Sequence, residues 1–446
     1  MAKKQRVSYV CASCGATHSS WVGRCTTCGE WNTVQEQLNV TTAMAGSSGK
    51  LLDLKSINEV TKVKSVERLK VDIGDVDEVL GGGIVPGSVI LIAGQPGIGK
   101  STLLMQVASS IAKKKRVIYI SGEESAEQVA MRATRLGAGG EELILSTSTS
   151  ANDIAATISS DSADLVVVDS IQTLSCSEIA SAAGSVSQIT NSTQLISAAA
   201  KGSGTALLIV GHVTKEGSIA GPKVLEHIVD VVLQLEGDRY GGFKVLRAIK
   251  NRFGSTNEAS IFDMEEGGLR PVDNPSAALL EERQISDGSV VLATVEGTRP
   301  LLVEVQALVN TSSYGYPKRA SSGFDLNRLN LLVAVLERRT KLNLSDKDIY
   351  INIVGGIKIQ DPAADLAVCL AIGSASKGLK LSSDAVVYGE VGLSGEVRHV
   401  PYAEKRISEA KKLGFEKVVG PRIKGKKLAL LHEVKDVRDA LNTFLK

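Results

Sequence analysis

No apolar run in this 446-residue chain approaches the ~20 residues that a membrane-spanning helix needs. The basic N-terminus MAKKQRVSYV has no apolar stretch behind it, so it does not read as a secretory signal, and the cytoplasm is the expected compartment. An excess of charge is missing too: 51 Lys and Arg stand against 49 Asp and Glu. Overall charge therefore argues neither for nor against nucleic acid, and a DNA-binding surface has to be a local basic patch. Aromatics are scarce at 4% while glycines number 43, which suits an α/β protein with many tight phosphate-type turns. Beyond residue 28 cysteine nearly vanishes, with only Cys176 and Cys369 remaining. Clustered CxxC pairs in such a chain indicate a metal site and not a disulfide framework.

That cluster reads CASCGATHSSWVGRCTTCGEW, with Cys11 and Cys14 in one pair and Cys25 and Cys28 in the other. Two knuckles of this spacing aim four sulfurs at one centre, a tetrahedral site that suits Zn²⁺. A redox CxxC would leave the second pair unexplained. His18 lies between the pairs, and with four sulfurs filling the metal's shell it is expected on the surface. A closed four-sulfur site is structural, so residues 1–36 are a small module that binds a partner or positions the core. Residues 37–65 are small, polar and aperiodic, and read as a linker.

From about Val66 to Gly268, β-branched runs alternate with helix-period segments. SVILIAG (88–94), RVIYIS (116–121), LVVVDS (165–170) and ALLIVG (206–211) have strand length. Helical patterns, as in Lys100–Ala112 and Ser185–Ala200, separate them. Buried apolar strands joined by helices predict a mainly parallel sheet covered on both faces. The runs 229–237, 243–251 and 258–264 close the set. Prolines and a polar turn at 268–276 mark a second boundary. A further α/β unit follows over 277–446, with strands expected at 289–296, 301–308, 349–354 and 386–399 and helices near 326–339, 361–376, 403–413 and 435–445.

The segment Gly94, Gln95, Pro96, Gly97, Ile98, Gly99, Lys100, Ser101, Thr102 matches G-x-x-x-x-G-K-[ST] between a strand and a helix, the context the motif requires. Its glycines let backbone N–H groups close around phosphates, and the helix N-terminus adds positive potential. Lys100 would reach the β- and γ-phosphates of ATP, and the Ser101 hydroxyl would ligate Mg²⁺. Asp169, at the tip of LVVVD, fits the carboxylate that holds Mg²⁺ through water. Glu123 and Glu124 end the strand after the motif's helix, and either is placed to polarise an attacking water. His212 ends another strand, where a polar group can sense the γ-phosphate; a buried, hydrogen-bonded histidine is the plainer alternative. The loop TKEGSIAGPK (214–223) carries Lys215 and Lys223 and is a candidate for DNA contact.

One stretch asks for a charge it does not contain. In AIKNRFGST, Lys250, Asn251, Arg252, Phe253 and Gly254 end a strand with two cations, and the nearest carboxylates along the chain are Asp238 and Glu258. Either the pair is solvated, or its counter-charge comes from elsewhere in the chain or from another chain.

The P-loop, the strand succession and DVDEVLGGGIVPGSVILIAGQPGIGKST resemble RecA-type ATPases. Together with the CxxC…CxxC segment, its tryptophans and KNRFG, nearly the whole chain resembles the bacterial RadA (Sms) family of DNA repair and recombination proteins. The resemblance implies an α/β RecA-like ATPase core (66–270) that assembles as a hexameric ring on single-stranded or branched DNA. It implies branch migration or strand extension, and work beside other recombination proteins such as the RecA recombinase. It gives Lys250 and Arg252 a role on a neighbour's nucleotide or in DNA coupling, and favours Glu123 over Glu124. Residues 277–446 resemble the proteolytic domain of Lon, with GGIKIQDPAADLAV and GEVGLSGEVRHVPYAEKR parallel to its catalytic segments. The serine position is Ala363 and the lysine position Glu404, beside Lys405. Alanine offers no attacking oxygen, so the unit is expected to keep the fold without the chemistry. Lys318, Arg319, Arg328 and Lys358 are candidate DNA cations. A slow, nucleotide-gated scaffold and an ATP-dependent protease are the competing readings; Ala363 weighs against the second.

Overall fold

The β-branched runs become strands of two large sheets in the computed structural model, which describes residues 7–11, 16–38, 56, 67–212, 224–237, 242–312, 315–423, 425 and 428–445. They divide into two units, Met1–Val66 and Glu67–Lys446. In the first, β1 (Val7–Cys11), β2 (Thr17–His18) and β3 (Val34–Leu38) form an antiparallel sheet in the order β2-β1-β3. Its core is tiny, built on Cys11, Cys25 and Val34, so the cysteine centre is most of what organises it.

The first half of the larger unit runs α1 (Val76–Val79), β4 (Val89–Gly94), α2 (Lys100–Ala112), β5 (Val117–Ser121), α3 (Ala126–Arg135), β6 (Leu143–Thr147), α4 (Ala151–Ser160) and β7 (Leu165–Asp169). It continues with α5 (Val186–Ser203), β8 (Ala206–His212), α6 (Val224–Ile228), β9 (Val231–Gly237), β10 (Lys244–Asn251), β11 (Ala259–Glu265) and β12 (Gly268–Pro271). The nine strands lie in the order β12-β11-β10-β9-β4-β8-β7-β5-β6. The six from β9 to β6 are parallel, and β10 to β12 extend them antiparallel. Side chains alternate across the pleat. Ile90, Ile92, Leu208 and Val210 face Leu103, Leu104 and Val107 of α2 in one core, while Leu91 and Ile209 are buried on the other face.

The remainder runs α7 (Pro275–Leu280), β13 (Ser289–Glu296), β14 (Arg299–Thr311), β15 (Arg319–Ser322), α8 (Leu326–Thr340), β16 (Lys347–Ile353), α9 (Ala364–Lys377) and β17 (Ala385–Val387). It ends with β18 (Glu390–Val391), β19 (Val397–Arg398), α10 (Ala403–Lys412), β20 (Lys417–Gly420), β21 (Leu431–Glu433) and α11 (Val437–Phe444). Seven of these strands form a sheet in the order β15-β16-β14-β13-β17-β20-β21. Val290, Leu292 and Val303 pack toward α8 and α9. Val291, Ala293 and Leu302 pack toward Ala403, Ile407 and Ala410 of α10. Contacts between the two sheet regions are direct: Arg299 pairs with Asp75, and Thr298 Oγ1 donates to the Glu258 carboxylate at 2.9 Å.

One expected element is corrected. The strand at 386–399 is three short pieces, β17, β18 and β19, the last two a small ribbon pairing Glu390 with Arg398 and Val391 with Val397. Glycines at 389, 392 and 395 and the Leu393–Ser394 turn break the run.

Candidate functional site

The loop after β4 is shaped by glycines that cannot be replaced freely. Gly97 and Gly99 take φ of 78° and 110°, the region that costs any other residue. They bring the chain into α2 with Lys100 as its first residue. Lys100 is buried, and its ammonium donates to the Gly94 carbonyl at 2.9 Å and the Gln95 carbonyl at 3.0 Å. Pro96 and Gly97 are exposed, Gln95, Ser101 and Thr102 are partly so, and Ile98 is buried under the loop.

Register carries three candidates to neighbouring strand tips. Ser121 of β5 lies level with Asp169 of β7, and His212 of β8 level with Gly94 of β4. Asp169 is buried, accepting from the Tyr119 hydroxyl at 2.8 Å, with Arg132 Nη1 3.7 Å away. Burial and the Asp169 charge push the Tyr119 phenol well above its ordinary pKa, so it stays a donor. The two glutamates separate: Glu124 pairs with Arg132 of α3, while Glu123 accepts a hydrogen bond from the hydroxyl of Ser170, next to Asp169. The His212 side chain and the loop 213–223, with Lys215 and Lys223, lie outside the described residues.

The counter-charge for KNRFG is Asp230. Arg252 Nη1 sits 2.9 Å from the Asp230 carboxylate, and Lys201 Nζ is 3.3 Å from the same oxygen. The other oxygen accepts the backbone N–H of Val89, at the foot of β4, at 3.1 Å. Lys250 caps the end of α6 instead, donating to the Glu226 carbonyl and to Val229 O at 2.7 Å. Burial, then the nearby Arg252 charge, lower its pKa below the ordinary lysine value. A register shift between Ala248 and Lys250 re-aims the strand end, leaving Ile249 exposed. Asn251 holds the turn, accepting from Phe253 N at 2.9 Å and donating to Val79 O at 3.3 Å. Arg68 donates to the Phe253 carbonyl at 2.9 Å, and Gly254 lies so close to Gly81 that a Cβ would come within 2.7 Å of its Cα. Asp230 was missed by sequence reasoning. Its signal was a lone carboxylate in the apolar run IVDVVLQ, which a buried strand tolerates only with partners.

The motif faces away from its own P-loop. Asn251 is level with Val231 of β9, and Val231 with Ile90 of β4. Gly94 lies four residues further along β4, so the two sites are separated by about 13 Å or more at ~3.3 Å per residue.

In the N-terminal unit the sulfurs of Cys11, Cys25 and Cys28 lie within 4.8 Å of one another, and Cys11 Sγ is 3.7 Å from Cys28 Sγ. Tetrahedral zinc with ~2.3 Å bonds spaces its sulfurs by about 3.8 Å, so this set fits the ion. Cys14 lies outside the described residues. A hydrogen bond from the Cys28 backbone, with lesser help from Thr27, His18 and the Cys28 thiol, lowers the Cys25 pKa to about 5. His18 corrects an expectation: it is half-buried, with Nε2 3.5 Å from Cys25 Sγ, because the β1–β2 pairing folds it back over the knuckle.

At the place of Lon's serine, Ala363 is fully buried. Around it stands a buried ion pair that the sequence reading did not find. Arg406 Nη1 is 2.6 Å from the Asp361 carboxylate and donates to Ala293 O at 2.7 Å. Asp361 also accepts from Thr294 Oγ1 and Val295 N, each at 3.1 Å, and from Ala363 N at 3.0 Å. Glu404 is exposed, and Lys405 donates to the Thr298 carbonyl at 3.0 Å. Two candidate DNA cations make contacts within the chain. Arg328 forks onto the buried Asp365, with Nε 3.0 Å from Oδ1, and Arg319 is spent on the Lys347 and Leu344 carbonyls at 2.7 and 3.2 Å. Lys318 and Lys358 are exposed.

A parallel sheet with a phosphate loop on an inner strand and acidic tips beside it defines a class, the RecA-like P-loop ATPases, here with a zinc ribbon and a Lon-like α/β region. Family models agree in part: an AAA domain matches residues 58–218, a rubredoxin metal binding domain 9–36, and subunit ChlI of Mg-chelatase 329–423. The chain is 47% identical to the DNA repair protein RadA of Pseudomonas aeruginosa over 427 residues, 94% of each chain. It is 47% identical to RadA of Bacillus subtilis, covering 94% of this chain and 93% of that one. With RadA of Aquifex aeolicus it shares 45%, over 94% of each. The crystal structure of the RadB recombinase aligns with 46% of this chain and all of that one at 24% identity; its TM-score of 0.38 is too low to add weight. The chain belongs to the RadA family. Among the described residues no helix is long and apolar enough to cross a membrane.

Proposed function

We propose that this chain is a DNA-dependent ATPase of DNA repair and homologous recombination. It acts as a helicase-type motor that drives branch migration or strand extension as a hexameric ring on single-stranded and branched DNA, beside the RecA recombinase. One observation carries the reading: two cations that cannot reach their own P-loop stand ready, on short polar tethers, at the far end of the same sheet. Such a pair is placed to serve a neighbour's nucleotide, which requires an assembly, or a bound polynucleotide.

In this reading residues 66–270 are the motor, 277–446 the Lon-like domain, and 1–36 the zinc module after the linker 37–65. Backbone amides of Gly97 to Ser101 grip the triphosphate. Lys100 exchanges the Gly94 and Gln95 carbonyls for the β- and γ-phosphates. Glu123, oriented by the Ser170 hydroxyl, takes the proton of the attacking water, while Glu124 is held aside by Arg132. Ser101 and Asp169 would hold magnesium, which would supply neutralisation of the phosphate charge. Lys250 and Arg252 of the next subunit meet charge developing on the γ-phosphate. In doing so they release the end of α6 and Asp230, so nucleotide state reaches the loop 213–223 that follows His212. The Lon-like domain serves ring assembly or DNA contact, since Ala363 offers no nucleophile. Cys11, Cys14, Cys25 and Cys28 would hold zinc, which would supply rigidity to the N-terminal module.

Phosphate-release assays with and without single-stranded DNA test the reading. DNA is expected to raise the rate, Lys100→Ala to abolish it, and rising salt to weaken DNA binding steeply. An ATPase rate indifferent to DNA would sink the motor.

A further inference from the structure

One turn of the Lon-like sheet touches three segments that frame KNRFG. It runs from Glu296 to Arg299 and joins β13 to β14. Glu296 Oε2 lies 3.1 Å from Arg247 Nη2 on β10, and both side chains are mostly buried. Arg247 pairs in register with Gln234, just before the shift between Ala248 and Lys250 that re-aims the strand end. Thr298 Oγ1 donates to the Glu258 carboxylate at 2.9 Å, and Gly297 leaves no room for a Cβ against the Asn257 carbonyl. Asn257 and Glu258 carry the chain out of KNRFG into β11. Arg299 pairs with Asp75, the residue before α1, and donates to Asp273 O at 3.1 Å. KNRFG rests on the other end of α1, where Asn251 Nδ2 donates to Val79 O at 3.3 Å and Gly254 packs on Gly81. The turn therefore reaches the strand that enters KNRFG, the segment that leaves it and the loop it packs against.

The turn is itself anchored at the place of Lon's serine. Arg406 donates to Ala293 O at 2.7 Å, and Asp361 accepts from Thr294 Oγ1 and Val295 N at 3.1 Å each. These bonds fix the last three residues of β13 before Glu296. Lys405, beside Arg406 on α10, donates to Thr298 O at 3.0 Å. The Asp361–Arg406 pair is buried, and neither partner can leave without stranding the other's charge. A rigid support of this kind is what a group acting on another subunit needs, because a displacement of about 1 Å can cost ~10²-fold in rate. The Arg252 side chain is 54% exposed, so its own packing does not supply that support.

We infer that the turn Glu296–Arg299, braced by the Asp361–Arg406 pair, is a positioning element for ATP hydrolysis. It sets the backbone of KNRFG so that Lys250 and Arg252 meet a neighbour's nucleotide. Glu296, Thr298 and Arg299 act through Arg247, Glu258 and Asp75. The Lon-like region thereby serves hydrolysis with the residues that stand where a protease would keep its nucleophile. This rests on the neighbour-directed role of KNRFG proposed above.

The test is the double variant Thr298→Val, Arg299→Ala of the full-length protein, with Thr298→Val alone as the milder form. All four residues of the two lost contacts reach solvent, so no charge is stranded in the interior. A single cooperative denaturation transition certifies the fold. Phosphate release in the presence of single-stranded DNA is expected to fall by about 10²-fold in kcat for the double variant. Affinity for a non-hydrolysable ATP analogue is expected to stay within about twofold of the parent, because the variant's own P-loop is untouched. Mixing in equal amounts with Lys100→Ala protein should return activity toward about a quarter of the parent rate, since the partner lends an intact KNRFG to the variant's P-loop. Mixing with Arg252→Ala protein should return none. Recovery with Arg252→Ala and not with Lys100→Ala would place the damage in the variant's own nucleotide site and overturn the assignment. A parent-like rate, or recovery with neither partner in rings of confirmed composition, would overturn it as well. An Arg252→Ala protein that hydrolyses ATP at the parent rate would instead overturn the neighbour-directed reading of KNRFG.

Discussion

Arg252→Ala separates a structural role from one exercised on a neighbour. In the folded chain Arg252 pairs with Asp230, but its side chain is 54% exposed while that of Asp230 is 5% exposed. Removing the arginine leaves Asp230 with Lys201 at 3.3 Å and the Val89 N–H at 3.1 Å, so the carboxylate is not stranded. The loss of a half-solvated pair then costs about 1 kcal/mol or less, and the variant folds. If the guanidinium stabilises the transition state across an interface, ATPase activity falls by ~10³–10⁵. Mixing makes this decisive. Lys100→Ala protein cannot grip phosphate and Arg252→Ala protein cannot finish a neighbour's site, so each alone is inactive. In a head-to-tail ring formed from equal amounts, about a quarter of interfaces join an intact P-loop to an intact Arg252. Activity near a quarter of the parent rate is expected. Mixed rings of confirmed composition that stay silent at every ratio, or Arg252→Ala rings that hydrolyse ATP normally, would refute the argument.

The other predictions are simpler. Gly254→Ala drives a methyl to 2.7 Å from the Gly81 Cα; a loss of about 1–3 kcal/mol in chemical denaturation is expected, and a neutral result would mean the two turns do not touch. Ala363→Ser should leave peptide and casein intact, because the Asp361–Arg406 pair already occupies the polar groups at that spot; new proteolysis would show that a hydroxyl alone restores the chemistry. Cys25, with its pKa lowered to about 5, keeps its thiolate from the ordinary thiol range down to that value. The stability this thiolate lends is fully present above the unfolded thiol pKa and declines progressively as pH falls through about 5. Zinc should therefore stay bound from pH 8 to about 6 and leave near or below pH 5; release at neutral pH would contradict the assignment.

The strands around the P-loop were legible because β-branched runs ending in Gly94, Asp169 and His212 leave few other choices. β6 was not. Its residues LILST are half-exposed at the sheet edge, so neither alternation nor a solid apolar run marks them. The start of α3 carries a signal that the sequence shows directly, the capping box of Ser125 and Gln128. The nucleotide loop could be read locally, since its chemistry lies in consecutive residues. The partner of Arg252 could not, because Asp230 reaches it only through the antiparallel pairing of β9 and β10. Arg406 escaped for the same reason: in sequence it is one more cation on a helix, and only the packed sheet turns it inward onto Asp361.

The central claim is that a triphosphate held at Gly97–Ser101 changes how assembled subunits hold DNA. The most direct measurement is the affinity for a labelled single strand, with oligomer size read in parallel, with and without a non-hydrolysable ATP analogue. The parent protein should bind at least tenfold more tightly with the analogue, a shift of about 1.4 kcal/mol, and Lys100→Ala should show no change. Equal affinity and equal assembly in the parent, with the analogue verifiably bound, would contradict the account.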